Sequence, residues 1–530
     1  MARKSRPPPI QDLGGPLPLP DHNTPWPPAG YQALLDDMRT WEAWWIGDPQ
    51  RLWNLYRSDS DVQTRHRRRN VSGFVGRFFW GRNRGTTSTG GPSRGDLHIP
   101  IASDICATSA DLLYSTPPRI TAINEATSDQ IERYKDDGLL EALITGAETA
   151  AALGGRYTRV TWDPAILSRP FLSVVDADAA LPEFRWGRLV AVTFWTDLAS
   201  DGSHFIRHLE RHELDAAGNG VILHGLYEGT STNLGRLIPL TEHPSTAPLA
   251  MLVNDQAELN VPRTPGLNVV YTPNMTPQRR WRHHPQGRYM GRSDLEGSEQ
   301  LFDALDETYS AWMRDVRLAK ARIIVDRSML ETPGGKSDEG APAFDLDREV
   351  FTPLDGIGSF KDGGSVEPQQ FQIRWQEHQQ TALDLTRQII RNARYSTATF
   401  GDVQDTDITA TEVRARQATT ETTRARKIRC EKPAVQALLV KMLRTDRALF
   451  NTPGLDETDI SVDFPQLHQA TVADNAQTVA TLRGVEALSL QTSVELAHPD
   501  WDDTQIQEEV TRLQREHPLS SPDDWRPLGA

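Results

Sequence analysis

Three histidines at i, i+4 and i+8, His204, His208 and His212, come nearest in type and spacing to a metal centre. On a helix that spacing stacks three imidazoles on one face, a donor set that suits a transition metal. The surrounding residues point to a different element. Phe205, Arg207 and Leu209 sit near turn pairs with the period of a strand, and a strand also places all three histidines on one face of a sheet, with no metal required. His283 and His284 are adjacent, so they point apart in either regular structure and have no ligand partner at useful spacing. No His-Glu-x-x-His run occurs. Gly334-Gly335-Lys336-Ser337 resembles the end of a phosphate-cradling loop, but that motif needs glycine where Leu330 stands. Asp402, Asp405 and Asp407 could hold Mg²⁺ if they converged, and otherwise form a solvated loop. We expect no catalytic residue, metal or cofactor. The rival reading is a metal-dependent nucleic-acid-processing enzyme that uses the three histidines or these aspartates.

A second chemistry is electrostatic. Ten arginines lie between Arg51 and Arg94 against Asp59 and Asp61, with Arg65, Arg67, Arg68 and Arg69 around His66, and Phe78-Phe79-Trp80 follow. Basic residues interleaved with aromatics could hold a phosphate backbone, and a solvated or intersubunit basic face is the plainer reading. The whole chain is acidic, with 57 Lys+Arg against 72 Asp+Glu and a net charge of -15. That balance argues against a surface built to coat nucleic acid by counterion release.

The 530 residues allow three or four domains or one composite fold, and 38% apolar content argues against global disorder. Cys106 and Cys430 have neither disulfide-framework nor zinc-like spacing, which fits a reducing setting. The N-terminal charges lead into no apolar stretch, and no run elsewhere could span a bilayer, so neither secretion nor membrane insertion is expected.

The elements that must position these residues read as follows. Residues 1–30, with nine prolines, cannot form a core and are expected as a flexible arm. Leu34, Leu35, Met38, Trp41 and Trp45 recur at helical spacing, and Gly47-Asp48-Pro49 stops that helix. Leu97 to Tyr114 predicts a strand followed by a helix, and Asp129 to Leu153 a second amphipathic helix ended by Gly154-Gly155. From Tyr157 to Tyr271 the period falls to two between Gly and Asp turns, the signature of an antiparallel meander. After Gly291-Arg292-Ser293-Asp294-Leu295-Glu296-Gly297 a long helix carries Leu301, Phe302, Leu305, Trp312 and Val316, with Ser293 or Asp294 as its expected N-cap. Ile323-Ile324-Val325 reads as a strand, and Thr332 to Pro368 as loops and short strands. A second long helix from Gln369 to Tyr395 carries two seven-residue series, Phe371, His378, Leu385 and Trp375, Ala382, Ile389, a seam that packs on a neighbouring helix. A polar loop follows. A basic helix then runs from Thr411, is expected to break near Pro433, and resumes to Leu449. Residues 451–530 hold 15 acidic and 4 basic side chains with helical periodicity. The fold class is α+β.

In this order the elements resemble the portal proteins of tailed bacteriophages, of the long-tailed siphophage type. The likeness lies first in Gly291 to Gly297 followed by Leu301-Phe302-Asp303-Ala304-Leu305-Asp306-Glu307 and Ser310. It lies next in Thr409-Ala410-Thr411-Glu412-Val413-Arg414-Ala415-Arg416, and then in Trp41, Trp44, Trp45, Gly47 and Tyr56. It covers roughly residues 31–450, and the family's usual central Asn of the first helix stands here as Asp306.

The resemblance implies a portal fold: a wing over 31–295 with helices and a β-rich layer, stem helices over 296–322 and 369–395, a small α/β clip over 323–368, a tunnel loop over 396–410, a long wing helix over 411–450 and a helical crown over 451–530. It implies a homo-oligomeric ring of about twelve subunits at one capsid vertex, assembled in the host cytoplasm. Through that ring terminase would drive double-stranded DNA. Head-completion and adaptor proteins would dock on it as a head-tail connector, with the major capsid protein around it. Under this reading Asp402, Gln404, Asp405, Thr406 and Asp407 face the DNA, and Leu305, Trp312, Trp375, Leu385 and Ile389 pack the stem. Arg65, Arg67, Arg68 and Arg69 form a possible basic contact surface. Another virion adaptor or minor capsid protein is the alternative within the same particle.

Overall fold

A computed structural model of the chain describes residues 19–54, 97–318, 322–324, 367–369, 373–401, 410–466, 479–481, 489–498, 501 and 503–516. It divides into two compact units, residues 1–464 and 465–530.

In the first unit, helix α1 (Gln32–Ile46) buries the face that carries Leu34, Leu35, Met38, Trp41 and Trp44. It ends where Gly47, at φ 67°, turns into the left-handed region that glycine enters without a Cβ clash. A further helical turn covers 49–54. Helix α2 (Ile101–Tyr114) follows, but residues 97–100 ahead of it form no strand. Residues 97–100 are held by side chains instead: the Leu97 amide donates to Ser310 Oγ and the Ile99 amide to Asp306 Oδ1. Strand β1 (Arg119–Ala122) leads to helix α3 (Glu125–Asp136), capped by Asn124, whose side chain accepts from the Thr127 amide at 3.0 Å. Helix α4 (Leu139–Leu153) is separate. The single helix expected over 129–153 is divided because Gly138 sits at φ 90° and reverses the chain.

Strands β2 (Gly155–Thr161), β3 (Phe171–Asp176), β4 (Ala180–Arg185), β5 (Arg188–Ser200), β6 (Phe205–Leu214), β7 (Gly220–Thr230), β8 (Asn233–Ile238) and β9 (Val269–Pro273) form the β layer. Strands β4 to β8 make a five-stranded meander, and β3-β2-β9 a three-stranded antiparallel sheet. Residues 19–30 depart from the expected flexible arm. Trp26 is 3% exposed and meets Trp195 edge-on at 5.7 Å, Pro25 bridges Asn233, and the Asn23 amide donates to the Gly235 carbonyl. A large indole over an uncovered patch of Leu181, Leu209, Tyr227 and Leu234 outweighs the polyproline character around it.

Helix α5 (Glu299–Leu318), the short antiparallel pair β10 (Arg322–Ile324) and β11 (Glu367–Gln369), and helix α6 (Trp375–Asn392) follow. The second helix thus starts six residues after the expected Gln369, which is taken into β11. Helix α7 (Ala410–Thr445) is continuous through Pro433. The expected break does not occur, because Arg429, whose carbonyl loses its donor, and Pro433 are both exposed, while Glu431, Ala434, Val435 and Leu438 are buried on the opposite side. Strand β12 (Ile460–Asp463) pairs with β1. One core joins α1, α2, α4 and β2 with the near ends of α5 and α6; the other joins α2, α3, α4, β1, β12 and α7. In the second unit, α8 (Leu490–Ala497) and α9 (Asp503–Glu516) close around Val494, Ile506 and Val510. The mixture is α+β.

Candidate functional site: a helical hairpin on a buried polar base

Helices α5 and α6 are antiparallel. Near one end Asp315 accepts from His378 Nε2 at 3.0 Å and from Arg374 at 3.3 Å, and the His378 ring stacks on Trp312 with centroids 6.2 Å apart. Near the other end Asn392 donates to Ser298 Oγ at 2.6 Å and to the Glu296 carbonyl. Along α5, Phe302 packs on Trp44, and Asp306 holds His98 at 2.8 Å. Leu305 and Ile389 are fully buried, and Leu385 and Tyr309 pack against the same core. Trp375 is instead 51% exposed, with Val316 and Leu383 also open to solvent. The seam read from the heptads therefore buries Ala382 and Ile389 and leaves Trp375 outward.

The hairpin stands on the segment Gly291 to Gly297. Gly291 and Gly154 cross so closely that a Cβ on Gly291 would lie 2.0 Å from the Gly154 carbonyl oxygen and 2.8 Å from the Asn274 amide. Ser293 does not cap α5. Its hydroxyl donates to the Ala152 carbonyl at 2.5 Å, serving the end of α4. Asp294 does not cap it either. Lys427 of α7 donates to Asp294 Oδ2, Asn274 Oδ1 and Ser109 Oγ, each at 2.6 Å. Asn274 Nδ2 and the Tyr395 hydroxyl complete the carboxylate's shell at 2.8 and 3.0 Å. Lys427 and Asp294 are both 1% exposed, so two charges removed from water find compensation in each other and in neutral partners. Burial, then Asp294, pushes the Tyr395 hydroxyl and the Cys106 thiol well above their ordinary ranges, so both stay protonated there.

Further buried ions follow along α7. Glu431 accepts from Arg156 at 2.7 Å and from the Tyr114 hydroxyl at 2.8 Å. Lys441 donates to the Thr264 hydroxyl at 2.6 Å and the Gly266 carbonyl at 2.7 Å, with no carboxylate paired to it among the described residues. Burial, then Arg444, pulls that amine down to about 7. Just past the end of α7, Asp446 accepts from Gln130, Tyr134 and Thr452. Sequence reading registered α7 only as basic and missed this buried stripe. The available signal was composition: the chain uses 49 arginines and 8 lysines, and two of those lysines sit here.

The histidines lie on β6 or just before it and take separate partners. His204 meets Glu228 at 2.9 Å, His212 meets Glu210 at 2.6 Å, and His208 stacks on His224 with nitrogens 3.2 Å apart. Burial lowers His208 and takes His224 down to about 4. Among the described residues no group of three or more His, Cys, Asp or Glu could hold a metal ion. Arg65, Arg67, Arg68, Arg69, Lys336, Asp402, Gln404, Asp405, Thr406 and Asp407 lie outside the described residues.

The model of the phage portal protein family, SPP1 Gp6-like, matches residues 238–518, from the end of the meander through the hairpin and α7 into the second unit. The chain belongs to that phage portal family. A search of curated proteins finds no match. Among solved structures, a chain of the neck of an empty GTA particle computed with C6 symmetry is 14% identical, with a TM-score of 0.37, covering 75% of this chain and 90% of that one. In this portal protein the matched span contains the hairpin, most of its polar base and all of α7. No helix among the described residues is long and apolar enough to cross a membrane.

Proposed function

We propose that this chain is the non-enzymatic subunit of a portal ring of about twelve copies at one capsid vertex, built in the host cytoplasm. Its bore would pass double-stranded DNA during packaging and ejection. The observation that carries the reading is the hairpin, fixed at its base by buried ions yet presenting Val316, Trp375 and Leu383 outward, an apolar edge that a neighbouring copy would cover. The net charge of -15 supports passage rather than capture, because a polyanion slides past an acidic or mixed wall and is trapped by a strongly basic one.

In this reading residues 31–295 are the wing, α5 and α6 the stem, 323–368 the clip, 396–410 the tunnel loop, α7 the long wing helix and 451–530 the crown. The clip is the docking face for terminase and the head-completion proteins, and the major capsid protein surrounds the wing. Asp402, Gln404, Asp405, Thr406 and Asp407 meet the DNA. Native mass spectrometry and negative-stain microscopy test the ring. Particles on the order of 700 kDa with an axial hole are expected, and a protein that stays monomeric alone and with capsid components refutes it. Replacing 402–407 with a Gly-Ser linker is expected to leave rings intact and to impair DNA packaging; unimpaired packaging removes the loop assignment.

A further inference from the structure

Two lines of charge run along the outside of the helical hairpin, one on each helix. On α5, Gln300, Glu307 and Arg314 recur every seven residues, and on α6 so do Glu377, Asp384 and Arg391. Seven residues are two turns, so each trio forms one stripe along its helix. All six side chains are exposed. The stripes lie away from the seam, where Trp312 and Asp315 meet His378 and Ser298 meets Asn392. Among the described residues, none of Glu307, Arg314, Asp384 and Arg391 has a side-chain hydrogen bond or ion pair. Pairing along the helix does not answer Glu307 or Arg391, because the residues four before them, Asp303 and Arg387, have the same sign.

The order of signs on the two stripes is complementary in one register. Because Ser298 meets Asn392 and Asp315 meets His378, Glu307 lies level with Asp384, and Arg314 with Glu377, within a subunit. Two copies set side by side at that level, α5 of one against α6 of the next, would oppose Glu307 to Asp384 and gain only Arg314 with Glu377. A shift of one heptad, about 10 Å along the axis, sets Glu307 against Arg391 and Arg314 against Asp384 at once, with no like charges opposed between the stripes. The opposite shift sets Glu307 against Glu377.

We propose that α5 of one copy packs antiparallel on α6 of its neighbour in this staggered register, joined by Glu307 with Arg391 and by Arg314 with Asp384. Each copy then offers its α5 stripe to one neighbour and its α6 stripe to the other, a heterologous contact that can close a ring. An apolar edge alone tolerates sliding, whereas opposite charges fix the axial position. That the partner is a second copy of this chain rests on the ring reading above; the stagger rests on the charges.

The test follows the native mass of the full-length protein over a range of protein concentration and salt. Glu307→Arg and Arg391→Glu are each expected to weaken assembly by roughly five- to tenfold per interface, the scale of an exposed pair turned into a repulsion. Glu307→Arg with Arg391→Glu in one chain restores opposite charges across every interface and is expected to return assembly to within about twofold of the parent's. The swap Arg314→Glu with Asp384→Arg repeats the test at the second pair. All four positions are exposed, and the circular dichroism of each variant is expected to match the parent's. Single reversals that assemble as the parent does, or a swap that assembles no better than the singles, overturn the proposal. Stronger assembly by Glu307→Arg alone also overturns it, since that variant relieves Glu307 against Asp384 in the level register. Rings that form regardless of these charges remove this interface and leave the portal reading standing. A parent that stays monomeric alone and with capsid components removes both.

Discussion

Replacing Lys427 with methionine keeps the length of the side chain and removes its charge. Asp294 then remains 1% exposed with only Asn274 Nδ2 and the Tyr395 hydroxyl as donors, and Ser109 Oγ and Asn274 Oδ1 lose theirs. Removing one member of a buried pair costs about 3 to 5 kcal/mol, because the other charge is left without compensation. A cooperative unit of about 400 residues unfolds with an entropy of about 0.8 kcal/mol/K, so the midpoint is expected to fall by about 4 to 6 °C. Differential scanning calorimetry on the native assembly measures this. The double variant Lys427→Met, Asp294→Asn should recover part of the loss, with a coupling energy of about 1 to 3 kcal/mol. Lys427→Arg should also destabilise, since a planar guanidinium cannot send three donors to three oxygens that each lie 2.6 Å from one nitrogen. A Lys427→Met midpoint within a degree of the parent's, or strictly additive costs in the double variant, would refute the argument that a buried ion pair holds the hairpin's base.

Three further outcomes follow from the same geometry. Gly291→Ala drives a Cβ to within 2.0 Å of the Gly154 carbonyl oxygen and is expected to abolish soluble, protease-resistant protein, whereas Gly202→Ala, at φ 90° with open space around it, should cost about 1 to 2 kcal/mol. For Lys441 the folded-state pKa is lowered from 10.5 to about 7. Between those values the unfolded chain binds more protons, so stability should rise with pH across that window and lie lowest below it. Melting curves of the parent and Lys441→Met against pH would show this as a converging or diverging pair, and parallel curves would count against it. Trp375→Ala, at a half-exposed position, should leave the melting midpoint of the subunit within a degree while lowering the native mass; Ile389→Ala, at a fully buried one, should cost about 2 to 5 kcal/mol.

What the sequence disclosed follows from the range over which each signal acts. The tryptophan face of α1, the meander and the two hairpin helices rest on periodicity within a few turns, and they were legible. Misreadings arose where one residue or a distant partner decides. Gly138 divides α3 from α4 although the apolar pattern runs through it. Residues 97–100 look like a strand but are held by Asp306 and Ser310, more than two hundred residues away. Pro433 stays within α7 because its exposed side tolerates a lost hydrogen bond. Trp26 looks like part of a solvated arm until Trp195 gives it a surface. The buried ions were the least legible. Lys427, Glu431 and Lys441 read as part of a basic helix, and nothing within a turn of them reveals that Asp294, Arg156 and Thr264 wait on other elements.

At 1.5 Å per residue α7 extends about 54 Å, and Lys427, Glu431 and Lys441, with Asp446 just past its end, pin it from its middle onward to four different parts of the subunit. To slip along its axis by one turn, about 5.4 Å, the helix would have to unseat all four at once and strand each in an apolar interior. It therefore transmits force as a keyed shaft does. A push delivered where it leaves the 402–409 segment must arrive at Asp446 as a displacement of the whole body.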